Sequence, residues 1–164
     1  MFASNNKGDL KNHLGSFYNS LKNITLNTEN CEFEKKIDYD ANWKLCVENS
    51  IDEYHIVKVH PTNAGFFGFM KNYKYFDEKK NLILFSSTDK NRNLSYDKFK
   101  KNCNKNIFDY EGYKIFYVYP NLFLHIYFDY FYYTNFLMLS PNKTINRLAV
   151  FSFKDNKKSK KHLN

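Results

Sequence analysis

The sequence predicts an α+β fold, on three observations. Apolar residues recur every three or four positions in two segments of the first sixty residues. Runs rich in Phe, Tyr, Ile and Val fill the last third, and Pro-Asn pairs interrupt those runs where turns belong. Helices packed on a predominantly antiparallel sheet satisfy all three.

Taken in order, Leu10, Leu14, Phe17, Leu21 and Ile24 share one face of a short amphipathic helix. In 31–39, Cys31, Phe33, Ile37 and Tyr39 fall on one parity, interrupted by Lys35, which predicts a half-buried strand. The period turns helical over 43–57, where Trp43, Val47, Ile51 and Tyr54 form a stripe, Asn42 is the N-cap and Pro61 blocks continuation. A loop through Gly65 and Gly68 leads to short strands at 73–76 and 82–86. The polar, basic stretch 90–106 predicts a loop with a partly helical excursion. Strands follow at 113–119, 122–133 and 145–153, with a further one at 136–140; Pro120-Asn121 and Pro141-Asn142 supply the turns. Runs apolar on both faces predict a sheet covered by helices on one side and by something else on the other.

At 164 residues the chain has room for one domain, and 43% hydrophobic with 20% aromatic residues excludes a disordered tail. The net charge of +8 suggests a polyanion partner until its composition is read: 23 Lys but only 2 Arg, alongside 23 Asn, which reflects compositional bias. Guanidinium forks, the usual phosphate grips, are nearly lacking. Half the excess lies in a basic polar tail, 154–164, where five lysines face Asp155. No nucleic acid is therefore expected as a partner. No membrane is expected either, since the most apolar stretch, 115–139, is broken by Pro120, Asn121, His125 and Asp129. Cys31, Cys46 and Cys103 form no metal-cage spacing, and an odd set of reduced thiols with no signal peptide points to the cytoplasm.

One cluster of polar residues carries chemistry. On a continuous helix Glu48, Asp52 and His55 stand at i, i+4 and i+7 and so project from one face. His60 would be turned about 140° from His55 on such a helix, so it can reach a shared ion only where the helix unwinds, as Pro61 favours. Two neutral imidazoles with a carboxylate beside them suit a first-row metal with open positions. The spacing is not that of a zinc-protease helix, whose two histidines lie four apart.

The run Asn42-Trp43-Lys44-Leu45-Cys46-Val47-Glu48-Asn49-Ser50-Ile51-Asp52-Glu53-Tyr54-His55, continuing to His60-Pro61, resembles the iron-binding segment of Rieske-type non-haem iron oxygenase alpha subunits. Its spacing is most similar to the choline and carnitine monooxygenase-like branch. Weaker resemblance covers nearly the whole chain. It includes 2–15, the strand entering at 38–44, Tyr119-Pro120-Asn121-Leu122, Asp129-Tyr130 and Leu139-Ser140-Pro141.

The resemblance implies a helix-grip-like fold of the Bet v1/START kind, here partial, with an antiparallel sheet around a long helix and the aromatic strands as pocket walls. It implies His55 and His60 as metal ligands to mononuclear Fe(II), Asp52 as the carboxylate linking a ligating histidine to a neighbouring subunit's Rieske cluster, and Asn49 as a pocket residue. It implies a small organic substrate and O2 as reactants, a Rieske domain and a reductase or ferredoxin as partners, and a homotrimer. The Cys-x-His and Cys-x-x-His motifs of a 2Fe-2S Rieske cluster do not occur in this sequence, so that cluster is expected only on a separate or missing domain. The family's third iron ligand, an acid, follows the closing strands; Asp155 does not resemble that segment. The expectation is a partial oxygenase catalytic domain over 1–153, cut at both ends, whose ancestral reaction is O2-dependent hydroxylation or dealkylation. A catalytically inactive ligand-binding or assembly module derived from that domain is the alternative.

Overall fold

A computed structural model describes residues 9–15, 17–52, 54–60, 74–78, 81–86, 113–126 and 130–153. The expectations for the loop through Gly65 and Gly68, for 90–106 and for the tail 154–164 lie outside these residues. The described elements are α1 (Leu10–Leu14), α2 (Phe17–Leu26), β1 (Thr28–Tyr39), α3 (Trp43–Ile51), α4 (Tyr54–Val59), β2 (Lys74–Glu78), β3 (Asn81–Ser86), β4 (Tyr113–Val118), β5 (Leu122–Ile126), β6 (Tyr130–Ser140) and β7 (Lys143–Phe153). The strands form one seven-stranded sheet in the order β1-β7-β6-β5-β4-β3-β2, every pair antiparallel. The α+β class and the antiparallel sheet are as the sequence predicts. The longest described helix is α2, ten residues, so the long helix of the expected fold is not among the described residues.

The first helix divides in two. Gly15 caps α1 at φ 57, a left-handed conformation that suits a residue without Cβ, and its N–H donates to the Lys11 carbonyl at 2.9 Å. The apolar stripe continues across the break, and Leu14, Phe17, Leu21 and Ile24 all enter one core with Phe116, Val118, Ile126, Phe131 and Phe153. Phe17 meets Phe116 edge to face, ring centroids 5.7 Å apart.

Strand alternation sends the intervening residues to the opposite face. There Ile115, Phe123 and Phe136 pack with Val47 of α3, flanked by Trp43, Cys46, Ile51 and Tyr117. Helices thus cover both faces of the sheet, where the sequence had predicted them on one. Burying each such large side chain contributes roughly 1.5–3 kcal/mol; Phe116 and Phe123, both fully buried, anchor the two faces.

Two strand boundaries differ from expectation. The run predicted as one strand over 122–133 is two antiparallel neighbours, β5 and β6, paired from Leu122↔Asn135 to Ile126↔Phe131. The intervening residues Tyr127, Phe128 and Asp129 contain neither Gly nor Pro, so composition alone does not announce the reversal. Conversely, β6 runs unbroken through Thr134 and Asn135 to Ser140, because ladder bonds to β5 and β7 hold those polar residues in line.

At the sheet's edge β1 is exposed along most of its length. Glu29, Glu32, Glu34, Lys35, Lys36 and Asp38 stud it, and register shifts interrupt its pairing with β7 between Thr28 and Phe33. Charge and irregularity on an edge strand discourage further strands from adding. No helix among the described residues is long and apolar enough to cross a membrane.

Candidate metal centre

The site begins with how α3 is fastened. Asn42, extended at φ −69 and ψ 137, accepts a hydrogen bond at Oδ1 from the Lys44 N–H at 2.9 Å, the N-cap its sequence position predicts. Its Nδ2 donates to the Pro141 carbonyl at 2.7 Å, in the β6–β7 hairpin. The buried Thr144 hydroxyl donates to the Ala41 carbonyl at 2.8 Å. These bonds pin the start of α3 to the hairpin, and the Val47 side of the helix lies on Phe136, Phe123 and Ile115.

The helix does not continue through the polar cluster. It ends at Ile51, with Asp52 as an extended C-cap (φ −73, ψ 110) whose N–H donates to the Glu48 carbonyl; α4 starts at Tyr54. The single helix over 43–57, and with it the argument that Glu48, Asp52 and His55 share one continuous face, is therefore corrected. An Asp at a helix end is readily extended, because its side chain competes for local backbone groups.

The end of α4 brings the histidines together. His55 lies in α4, and His60 directly follows Val59, where the helix has unwound as the spacing required. Their ring centroids are 5.7 Å apart and their planes inclined at 77°. Two imidazoles sharing an ion at the usual ~2.1 Å metal–nitrogen distance would have centroids roughly 4.5–5.6 Å apart, a range the observed separation just exceeds. The His55 Nδ1 is buried without a hydrogen-bond partner, and the Asp52 Oδ2 is 3.5 Å away. A carboxylate at one ring nitrogen orients the other toward a metal, so the residues present fit a divalent first-row cation. Asn49 is exposed on α3. Among the described residues no group of three His, Cys, Asp or Glu is arranged to hold an ion.

A family profile for the ring hydroxylating alpha subunit (catalytic domain) matches residues 29–162. The chain belongs to that family. Solved structures similar to this chain include the quaternary ammonium Rieske monooxygenase CntA with an inhibitor (TM-score 0.73, 13% identity, covering 98% of this chain and 41% of that one). The same enzyme with L-carnitine gives a TM-score of 0.69 at 13% identity, covering 98% and 40%. Naphthalene 1,2-dioxygenase from Rhodococcus sp. bound to indole gives 0.66 at 12%, covering 94% and 43%. At these identities the likeness is one of fold. The chain spans about two fifths of the length of these structures' chains. No curated protein matches the sequence.

One further residue shows in the sequence only as a break in an apolar run. His125, in β5, stacks on Tyr132 of β6 with centroids 4.3 Å apart and planes at 10°. It lies on the α3 side of the sheet, directly across from Ile115. Burial pushes its imidazole down from 6.5 to about 3, so it is neutral at ordinary pH. A lone polar residue among Phe123, Leu124 and Ile126 was the signal available.

Proposed function

We propose that this ring-hydroxylating domain binds mononuclear Fe(II) through His55 and His60 and that its ancestral reaction is O2-dependent hydroxylation or dealkylation of a small organic substrate. The observation that carries the reading is the approach of the two imidazoles at the end of α4, with the Asp52 carboxylate beside the His55 Nδ1. When bound, the ferrous ion would supply the site for O2 activation. The chain's own part is to fix that site. The sheet holds α3, the end of α4 brings the His60 imidazole near that of His55, and the Asp52 carboxylate stands 3.5 Å from the His55 Nδ1. Asn49, one turn before Asp52, is assigned to the approach to the pocket.

More than half of Asp52's side chain is exposed, which suits its further role as the contact for a neighbouring subunit's Rieske cluster. A structure of CntA is described in terms of inter-subunit electron transfer. By that analogy the working assembly is a homotrimer, supplied with electrons by a 2Fe-2S Rieske domain and a reductase or ferredoxin. The free thiols of Cys31 and Cys46 accord with a cytoplasmic setting.

Anaerobic Fe(II) titration of the full chain tests the reading. Saturable binding is expected, abolished in the H55A/H60A double variant. Equal binding by that variant defeats it.

A further inference from the structure

Four of the nine large apolar side chains exposed among the described residues gather at one corner of the fold: Tyr39, Leu45, Met138 and Leu139. Tyr39, Thr144 and Met138 form one row across β1, β7 and β6. The row lies on the α3 side, since the Tyr39 ring approaches that of Phe136 to 6.4 Å. Thr144 itself is buried with its hydroxyl on the Ala41 carbonyl, and Asn42 reaches Pro141, so α3 starts beside the end of β6 that carries Met138 and Leu139. The Val47 side of α3 meets the sheet; Leu45, two positions back and so about 200° round the helix, faces outward and is 59% exposed. Apolar side chains grouped in this way, rather than scattered singly, mark a contact surface.

Charge says what it contacts. The chain carries +8 overall, which repels a second copy from most of its surface. At this corner the signs balance: Lys44 and Lys143 stand with Asp40 and Glu48, all four exposed. A polyanion or an anionic lipid surface needs a basic rim, and a cationic partner an acidic one. Both signs together suit a copy of the same surface, because a two-fold axis can bring each charge to its opposite. Along the outer side of α3 the order is Lys44, Leu45, Glu48. An axis passing at Leu45 sets two such helices antiparallel, leucine on leucine, with each Lys44 facing the Glu48 of the other copy.

We propose that this corner is a self-association surface, on which α3 of one copy packs antiparallel on α3 of a second about a two-fold axis at Leu45, flanked by Tyr39, Met138 and Leu139. Such an isologous contact doubles whatever the chain otherwise forms, a monomer to a dimer or a cyclic trimer to a hexamer. It does not depend on the histidine pair or on iron.

Sedimentation velocity of the full chain between about 1 and 100 µM, the range that a small interface calls for, tests the proposal. Doubling of mass is expected across that range. L45E should abolish it, since a carboxylate would then be buried at the apolar centre. K44E and E48K should each weaken it about tenfold, because each sets like charges together twice per pair of copies. The combination K44E/E48K should restore it. Both charge changes favour the α3 macrodipole, an acid in the first turn and a base in the last, so neither loss could come from a weakened helix. Should circular dichroism show L45E unfolded, the charge series decides alone. The proposal is overturned if the full chain shows no doubling, if folded L45E doubles as readily as the parent, or if K44E/E48K stays as weak as either single change. Flotation of an undoubled chain with phosphatidylserine-containing vesicles assigns the corner to a membrane and equally overturns it.

Discussion

Asn42 serves two masters through one amide: its oxygen caps α3 and its nitrogen donates to the Pro141 carbonyl, 99 residues away in sequence. The helix that leads toward His55 and His60 is thereby started and aimed by the same side chain.

Replacing it separates the two tasks. N42A loses both and is expected to cost about 1–2 kcal/mol, since a cap alone is worth about 1 kcal/mol. N42D keeps the cap but faces a carboxylate to the Pro141 carbonyl, and should fall between. Urea denaturation of the three proteins checks the order; an N42A as stable as the parent contradicts the double role.

Thr144 offers a cleaner probe of the same junction. T144V is nearly isosteric but leaves the Ala41 carbonyl without its donor at a site the side chain keeps from water. A loss of about 1–3 kcal/mol is expected, measured as a shift in denaturation midpoint at unchanged slope.

Asp52 should matter to the ion more than to the fold. D52N retains an oxygen at the helix end but no charge beside the His55 Nδ1. Fe(II) affinity is expected to fall about 10- to 100-fold, the usual result of removing a carboxylate behind a ligating histidine, while the thermal midpoint stays nearly constant. Unchanged affinity would remove Asp52 from the centre.

His125 predicts an acid-side instability. Its folded value is about 3 against 6.5 in the unfolded chain, so below pH 6.5 the unfolded state takes up a proton that the folded state refuses. Stability therefore declines as pH falls from about 6.5 toward 3 and this contribution levels off below that. Its slope approaches about 1.4 kcal/mol per pH unit at most. H125F should flatten the decline; denaturation midpoints of both proteins between pH 7 and 4 test it.

Much of this was legible in the residues. The cap at Asn42 follows from its place before Trp43, and the position of His60 past a helix end follows from its five-residue spacing to His55 with Pro61 beyond. The split of the helix at Asp52 was not legible, because the apolar stripe through Trp43, Val47, Ile51 and Tyr54 keeps helical period across it; periodicity reports which side faces the core and is blind to a change of axis. The reversal after Ile126 was hidden for a related reason, since residues of strong strand preference continue through it. The stack of His125 on Tyr132 joins two strands through their register, and register belongs to the pairing rather than to either segment.

The five-residue spacing of His55 and His60 has a thermodynamic side. An ion gripped by two side chains of one short stretch closes only a small ring of backbone, so it removes little freedom from the unfolded chain. The ion would order the segment between Tyr54 and His60 without stapling β7 to α2 or one edge of the sheet to the other. Chelating it away should leave the two aromatic cores standing, a protein that has lost its reagent and kept its shape.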